Sequence, residues 1–130
     1  MEVRSKSYSI KLTPIPWQRA RLNGQRFFDG QTKEKVAFGL YLNQQHNDEP
    51  LFENPISLDI VFYMPMPKSI KDRKNTPYHS TKPDLDNLCK FLLDAIKDVL
   101  IADDKIICSI YAKKVYDKEP RTEFVITEVI

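Results

Sequence analysis

Four aspartates stand in pairs at the two ends of one amphipathic stretch, KPDLDNLCKFLLDAIKDVLIADDKI, residues 82–106. Asp84 and Asp86 precede its apolar run, and Asp103 and Asp104 follow it. Carboxylates that are brought close together repel one another unless a cation lies among them. Oxygen ligands suit a hard divalent ion such as Mg²⁺ or Mn²⁺, which can activate water for phosphodiester hydrolysis. The pattern therefore indicates a metal-dependent hydrolase.

Some of these residues also have a purely structural interpretation. Asp84 follows Pro83 and can cap a helix, and the helix dipole favours a second acid in the first turn. Lys90, four residues after Asp86, could stabilise negative charge on a phosphate or only form an ion pair along the helix. The aspartates after the helix lie where the dipole disfavours negative charge. A turn would account for one of them but not for two in succession.

A helix over residues 85–99 has to position these groups. Its apolar side chains share one face at helical spacing: Leu85, Leu88, Leu92, Ala95, Ile96 and Val99. Such a helix is about 22 Å long, so carboxylates at its two ends cannot bind the same ion. Either the helix breaks, or the second pair comes from another chain. Because no Pro or Gly interrupts the stripe, we expect a two-fold homodimer in which the start of one helix lies near the end of its antiparallel mate.

The rest of the chain predicts an α+β (mixed α/β) fold in one domain, residues 1–130. Alternating apolar residues predict four strands, at 7–13, 56–64, 105–116 and 122–129. Thr32 can cap a helix that runs to about Asn43, and Asn23-Gly24 can form a hairpin turn. The last two strands are expected to form an antiparallel hairpin. One mixed sheet of about four strands would then be covered by two main helices.

The inward faces follow from the same periodicities. In the first helix the expected stripe is Val36, Ala37, Leu40 and Tyr41. In the last two strands the expected inward residues are Ile106, Cys108, Ile110, Ala112, Phe124 and Ile126. Both cysteines, Cys89 and Cys108, fall at apolar positions, so we expect small buried thiols in the reduced state.

The net charge of +2 says little, but its distribution is uneven. Residues 84–104 carry two basic and six acidic side chains, whereas the preceding residues 65–83 carry five basic and one acidic. A loop as long as 65–83 in so small a domain is typical of a functional or disordered segment. We expect it to be mobile and to contact DNA phosphates. The expected contacts are Lys68, Lys71, Arg73, Lys74 and Lys82, with Arg19, Arg21 and Arg26 extending the surface.

Three further side chains, one tyrosine and two histidines, could be exposed to solvent. Tyr78 could stack on an unpaired base or be an ordinary exposed loop residue. His46 and His79 are expected to be solvated polar residues, since an oxygen-rich metal site does not need imidazole. No apolar run reaches the roughly 18 residues needed to span a bilayer, and the first ten residues have no apolar signal segment. A cytoplasmic protein without a membrane partner is expected.

The string Asp84-Leu85-Asp86-Asn87-Leu88, followed by Lys90, Asp94-Ala95 and Asp103-Asp104, resembles the RusA family of Holliday junction resolvases. The resemblance is specific over residues 82–110, and Pro16-Trp17-Gln18-Arg19 and the closing strands are similar to the family too. The glycine that the family often has after the helix is missing, since Asp98-Val99-Leu100-Ile101 stands there.

This resemblance implies a small, dimeric, magnesium-dependent endonuclease of a kind often carried by phages and prophages. The family's three essential aspartates fall on Asp84, Asp86 and Asp104, and its catalytic lysine falls on Lys90. Asp103 would be an accessory metal ligand.

The resulting hypothesis is an endonuclease that resolves four-way junction DNA by paired symmetric nicks, with Mg²⁺ as cofactor and Mn²⁺ as a substitute. The alternatives are a catalytically silent DNA-binding protein of the same fold and a small partner-binding domain. The four carboxylates favour an enzyme over the first alternative. The basic segments favour a role on DNA over the second.

Overall fold

The computed structural model describes residues 3–18, 21–23, 26–28, 30–67 and 76–129. In chain order the elements are β1 Ser5–Ile10, β2 Arg21–Asn23, β3 Arg26–Phe28, α1 Thr32–His46, β4 Ile56–Pro65, α2 Leu85–Ile96, β5 Ile107–Asp117 and β6 Arg121–Glu128. A 3₁₀ turn, Asp104–Ile106, leads into β5. The two main helices and the four-stranded mixed sheet confirm the predicted α+β fold. No helix of the described residues is long and apolar enough to cross a membrane.

The sheet has the strand order β1-β6-β4-β5, so the predicted hairpin of the last two strands is wrong. β4 lies between them, antiparallel to β6 and parallel to β5. The reason is the amount of apolar surface on each strand. β4 buries every second side chain from Ile56 to Met64, so it is most stable at the centre, whereas β5 has too few inward apolar residues and forms an edge.

The short pair β2 and β3 is antiparallel, with Asn23 opposite Arg26. This pairing agrees with the turn predicted at Asn23-Gly24, although Gly24 itself lies outside the described residues.

The predicted stripe of α1 is wrong for Val36 and Leu40, although Tyr41 packs against the core. Val36 is 59% exposed and Leu40 is 67% exposed, whereas Phe38, Leu42 and His46 are buried. Apolar residues occur all around this helix, so their periodicity leaves the choice of face open. The larger ring decides it, because Phe38 packs edge to face against Phe91 of α2 with ring centroids 5.0 Å apart.

His46 is likewise buried rather than solvated. Its Nδ1 lies 2.7 Å from the Tyr8 hydroxyl and its Nε2 lies 3.2 Å from the Pro50 carbonyl oxygen. Burial, followed by the nearby Lys6 charge, lowers the pKa of His46. Burial also raises the pKa of Tyr8 to about 12. Both rings are therefore neutral parts of the core near neutral pH.

The expected inward face of β5 is only partly confirmed. Ile106 and Ala112 pack against the core, but Cys108 is exposed and Ile110 is 43% exposed. These two residues lie on the edge strand, which in this half pairs on one side only, with β4, among the residues that the structure describes. The prediction of buried thiols is thus wrong for Cys108, while Cys89 is half-buried; both are free. The inward positions of β6 are confirmed, since Phe124 and Ile126 are buried.

α2 ends at Ile96, three residues before the predicted end. Lys97 is extended and Asp98 takes a left-handed conformation with φ 64°. The Asp98 N–H donates to the Ile101 carbonyl at 2.8 Å, which closes a tight turn. This is the region in which the sequence lacks a glycine, and Asp is one of the few other residues that tolerate a positive φ.

Candidate active site at the start of helix α2

The parallel strands β4 and β5 and the intervening helix α2 form a βαβ unit. α2 runs back along the sheet, so its N-terminal end lies at the carboxyl ends of both strands. Two observations place it there: Met64 and Pro65 of β4 line one cleft together with Asp84, and Lys114 near the end of β5 contacts the residues just before α2. The crevice at the carboxyl ends of parallel strands is where open α/β sheets bind ligands.

Asp84 occupies the N-cap position of α2 with extended backbone, φ −69° and ψ 143°. Its side chain makes no capping hydrogen bond, so the structural interpretation of this carboxylate is not supported. Asp86, in the first turn, accepts a 2.9 Å hydrogen bond at Oδ1 from the N–H of Asn87. Both carboxylates are exposed, so their remaining oxygens are available to a ligand.

Lys114 is a functional candidate that sequence reasoning missed. Its ammonium group donates to the carbonyl oxygens of Thr81 at 2.5 Å and Pro83 at 2.6 Å. It thereby ties the Thr81–Pro83 turn, which contains the cis Lys82–Pro83 peptide bond, to β5. Burial lowers the pKa of Lys114, and the nearby Asp84 carboxylate offsets part of that shift. A signal was present in the sequence, because the period-2 series Ile110, Ala112 and Lys114 puts a charged residue on an otherwise apolar face.

Lys90 does not form the ion pair that its spacing from Asp86 permits. Its Nζ lies over the indole ring of Trp17, 3.6 Å from the ring centroid. No ion pair joins Lys90 to Asp86 or to Asp94 in the described part of the chain. The contact with Trp17 is also the more stabilising of the two. A cation–π contact at an exposed site contributes about 0.5–1 kcal/mol, whereas an ion pair between residues four apart on a helix contributes about 0.2–0.5 kcal/mol.

A cleft of about 740 Å³ opens beside this end of α2. Trp17, Pro14 and Pro16 supply apolar walls, and Lys82 and Asp84 supply opposite charges. Lys82, predicted as a phosphate contact, is exposed there.

His79 also lines the cleft but is only partly exposed, so the prediction of a solvated ring is wrong. Burial, followed by the Lys114 charge, lowers its pKa. Its Nδ1 is buried without a hydrogen-bond partner among the residues that the structure describes. Tyr78, the stacking candidate, is 57% exposed and pairs with Val115 on the outer edge of β5.

The second aspartate pair lies at the other end of the βαβ unit. Asp103 precedes the 3₁₀ turn and accepts a 3.1 Å hydrogen bond from the Lys105 N–H. This bond, followed by a side-chain hydrogen bond with Asp104, lowers the pKa of the Asp103 carboxyl. From Ile107 to Lys114 the strand advances seven residues, or about 23 Å. Since Lys114 touches Pro83, the two aspartate pairs lie about 20 Å apart within one chain.

The predicted site is therefore divided between two places. One group lies close to the start of α2: Lys82, Asp84, Asp86 and Lys90. The other group, Asp103 and Asp104, lies at the amino end of β5. Within residues 3–18, 21–23, 26–28, 30–67 and 76–129, no three His, Cys, Asp or Glu side chains form a group that could hold a metal ion. The other predicted DNA contacts lie outside the described residues (Lys68, Lys71, Arg73, Lys74 and Arg19) or, for Arg21 and Arg26, have side chains outside them.

Comparison with known proteins agrees with the motif. The family described as Endodeoxyribonuclease RusA matches residues 12–127. The chain is 36% identical over 93 residues to the protein YqaN of Bacillus subtilis (strain 168), covering 65% of this chain and 66% of that protein. It is 32% identical over 107 residues to the crossover junction endodeoxyribonuclease rusA of Lactococcus phage r1t, covering 80% of this chain and 79% of the phage protein. The chain therefore belongs to the RusA endodeoxyribonuclease family, which confirms the resemblance seen in its motif.

Proposed function

We propose that this protein is a Mg²⁺-dependent endonuclease that resolves four-way DNA junctions by paired, symmetric nicks. The observation that carries the proposal is the state of Asp84. Its carboxylate stands at the mouth of the cleft, does not cap its helix and has no ion-pair partner within 4 Å among the described residues. Membership of the RusA family and the name of the phage relative support the choice of a DNA junction as substrate.

The donor atoms at the start of α2 fit a magnesium ion. Mg²⁺ prefers oxygen ligands and is often held by only one or two protein carboxylates, with water and substrate phosphate completing its shell. Asp84 and Asp86 can provide these two carboxylates, so the lack of a three-residue cluster among the described residues does not argue against the ion. When bound, the ion would supply an activated water and neutralise charge on the phosphate. Lys90 would stabilise the negative charge that develops on that phosphate.

We further propose that Asp104 joins the site from a second copy of the chain, with Asp103 beside it. A separation of about 20 Å within one chain excludes a shared ion there. The early end of α2 does not shorten this distance, because Phe52 holds the segment after α2 at the opposite end of β4. The Phe52 N–H donates to the Leu100 carbonyl at 2.8 Å, and the Ala102 N–H donates to the Phe52 carbonyl at 2.9 Å. An antiparallel pair of α2 helices would bring the start of one close to the exit aspartates of the other.

One flank of the βαβ unit suits such a pairing. Leu85, Cys89 and Leu93 recur every four residues on α2 and are only partly buried. Beside them β5 is an edge strand with Ile110 exposed. The outer edge of β5 is covered near its end, where the Tyr116 N–H donates to the Pro77 carbonyl at 2.8 Å. Its first half has no strand partner on that side among the described residues.

Single substitutions test the active site. Asp84→Asn or Asp104→Asn should abolish Mg²⁺-dependent cleavage of a synthetic four-way junction and leave junction binding and the fold largely intact, because the amide keeps the size of the side chain and removes the charge that the ion needs. Near-normal cleavage by both variants would refute the assignment.

Subunit mixing tests the shared site. In a mixed dimer of an Asp84→Asn chain and an Asp104→Asn chain, both lesions fall in one composite site, and the other site is entirely wild type. Nicking of one strand should return although neither parent nicks. If each site lies within one chain, every site carries a lesion and no activity returns. A tag on one variant shows that subunits have exchanged, so that exchange without nicking contradicts the composite site.

The division of the carboxylates also favours one alternative, a DNA-binding protein of the same fold without catalysis. The two are separated by incubating the wild-type protein with a labelled junction with and without Mg²⁺. Binding without cleavage in both conditions would favour the alternative.

A further inference from the structure

Trp17 is the only tryptophan of the chain, and its backbone is anchored on both sides. Its own N–H donates to the Asn87 carbonyl of α2 at 2.8 Å. The buried Gln31 side chain donates to the carbonyl of Pro16 at 2.7 Å and accepts from the N–H of Gln18 at 2.9 Å. Three successive residues are thus fixed to α2 and α1, and the indole is held above the first turns of α2.

Lys90 has a carboxylate one turn away in each direction, Asp86 before it and Asp94 after it. A lysine in this position ordinarily alternates between such partners. Here its ammonium group lies on the indole instead. The positive charge is thereby kept off Asp86, so the ammonium group does not occupy the carboxylate oxygens that another cation would need.

We propose that Trp17 is a positioning residue for the active site: it holds the Lys90 ammonium away from Asp86 so that Asp86 can bind the metal ion and Lys90 can face the phosphate. The inference rests on the proposed function, since it takes Asp86 as a metal ligand and Lys90 as the phosphate-stabilising group. Without the indole, Lys90 would pair with Asp86 and compete with the ion. The same ammonium group would also lose its fixed position beside the substrate.

The contact itself is tested in the full-length protein by NMR. The ring current of an indole shifts protons above it upfield, so the ε-CH₂ protons of Lys90, assigned with Lys90→Met, should resonate upfield of those of the other lysines. Trp17→Leu should abolish the shift, and Trp17→Phe, which keeps an aromatic face, should retain part of it. A Lys90 signal in the ordinary lysine range in the wild-type protein would overturn the proposal, whatever the protein does to DNA.

The competition is tested by Mn²⁺ binding, measured by water proton relaxation without DNA. Trp17→Leu should weaken Mn²⁺ binding by a factor of about 1.4 to 2.3, the size expected for an added ion pair on a helix. The double variant Trp17→Leu/Lys90→Met should bind Mn²⁺ as tightly as the wild type, because the competing ammonium group is gone, yet it should not cleave junctions. A merely structural role of Trp17 predicts that removing Lys90 restores nothing.

The control is Leu40→Ala, which removes a large side chain that is 67% exposed on α1 and should change neither Mn²⁺ binding nor cleavage. If Trp17→Leu is too unstable to study, Trp17→Phe and the single Lys90→Met variant carry the test. Trp17→Phe should cleave more slowly than wild type but still measurably, and Lys90→Met should bind Mn²⁺ at least as tightly as wild type. Weaker Mn²⁺ binding by Lys90→Met would overturn the competition. Wild-type protein that shows the ring-current shift and binds Mn²⁺ but cuts no junction would instead refute the proposed function alone.

Discussion

Replacing Lys114 by Met tests whether the edge strand positions Asp84. The substitution keeps an unbranched side chain of similar length but removes the ammonium group that donates to the Thr81 and Pro83 carbonyls. Hydrogen bonds to charged groups contribute about 1.5–3 kcal/mol each. The Thr81 bond is exposed, however, and burial lowers the pKa of Lys114, so desolvation offsets part of the gain. We therefore expect a loss of about 1–2 kcal/mol in the free energy of unfolding, near the bottom of that range.

For a chain of this size such a loss corresponds to a fall in Tm of about 4–8 °C. Cleavage should fall by more than stability at the assay temperature explains. The released turn carries Asp84, and a displacement of about 1 Å at a catalytic group can cost about 100-fold in rate. Calorimetry gives the first quantity and junction cleavage at saturating Mg²⁺ gives the second.

The matched control is Lys113→Met, which removes the same charge from the adjacent residue. Lys113 points to the other face of the sheet and makes no hydrogen bond or ion pair with the described residues. It should leave both Tm and the cleavage rate near the wild-type values. If Lys113→Met lowers Tm and the cleavage rate as much as Lys114→Met does, the loss of charge accounts for the effect rather than the hydrogen bonds to the turn. That result would refute the positioning of Asp84 by β5.

Three further outcomes are expected. Phe38→Ala should lower the free energy of unfolding by about 3–5 kcal/mol because it leaves a cavity where a buried aromatic ring was. Leu40→Ala on the exposed face should change it by no more than about 0.5 kcal/mol. Chemical denaturation measures both, and equal losses would contradict the observed face of α1. The pKa of His46 is lower in the folded than in the unfolded protein, so the unfolded chain binds more protons. Stability should therefore fall as the pH drops below about 6.5, the unfolded pKa. In thermal melts between pH 7 and 5, His46→Gln should weaken this dependence of stability on pH. Cys108 should react with a thiol reagent much faster than Cys89, because burial and the Asp86 charge raise the pKa of Cys89. Mass spectrometry of the labelled peptides measures the order, and faster labelling of Cys89 would contradict the prediction.

The candidate residues of the site could be named from sequence because the hypothesis about them depends on residue types at short spacing. Paired aspartates on either side of an apolar helical run, with a lysine one turn after Asp86, indicate an oxygen-ligand metal site acting on phosphate. The same local logic predicted both helices, the four main strands and the inward face of β6. The existence of these elements depends on short-range periodicities, which the chain displays even where, as in α1, they leave the buried face open.

The features that the sequence left open depend on competition between distant segments. The position of β4 between β5 and β6 follows from which strand buries the most apolar surface, a comparison that no single segment contains. The buried face of α1 follows from a ring on another helix, Phe91, and the burial of His46 from the Tyr8 hydroxyl on a distant strand.

The site shows the same division most clearly. Asp84, Asp86 and Lys90 could be named from their spacing, but their local pattern also allowed a cap and an ion pair. Only the tertiary structure shows Asp84 without a capping bond and Lys90 on Trp17, 73 residues earlier in the sequence. It likewise puts Lys114 under the Thr81–Pro83 turn. The physical reason is that local pairings along a helix contribute only a few tenths of a kcal/mol, so a contact supplied by another part of the fold decides which of them forms.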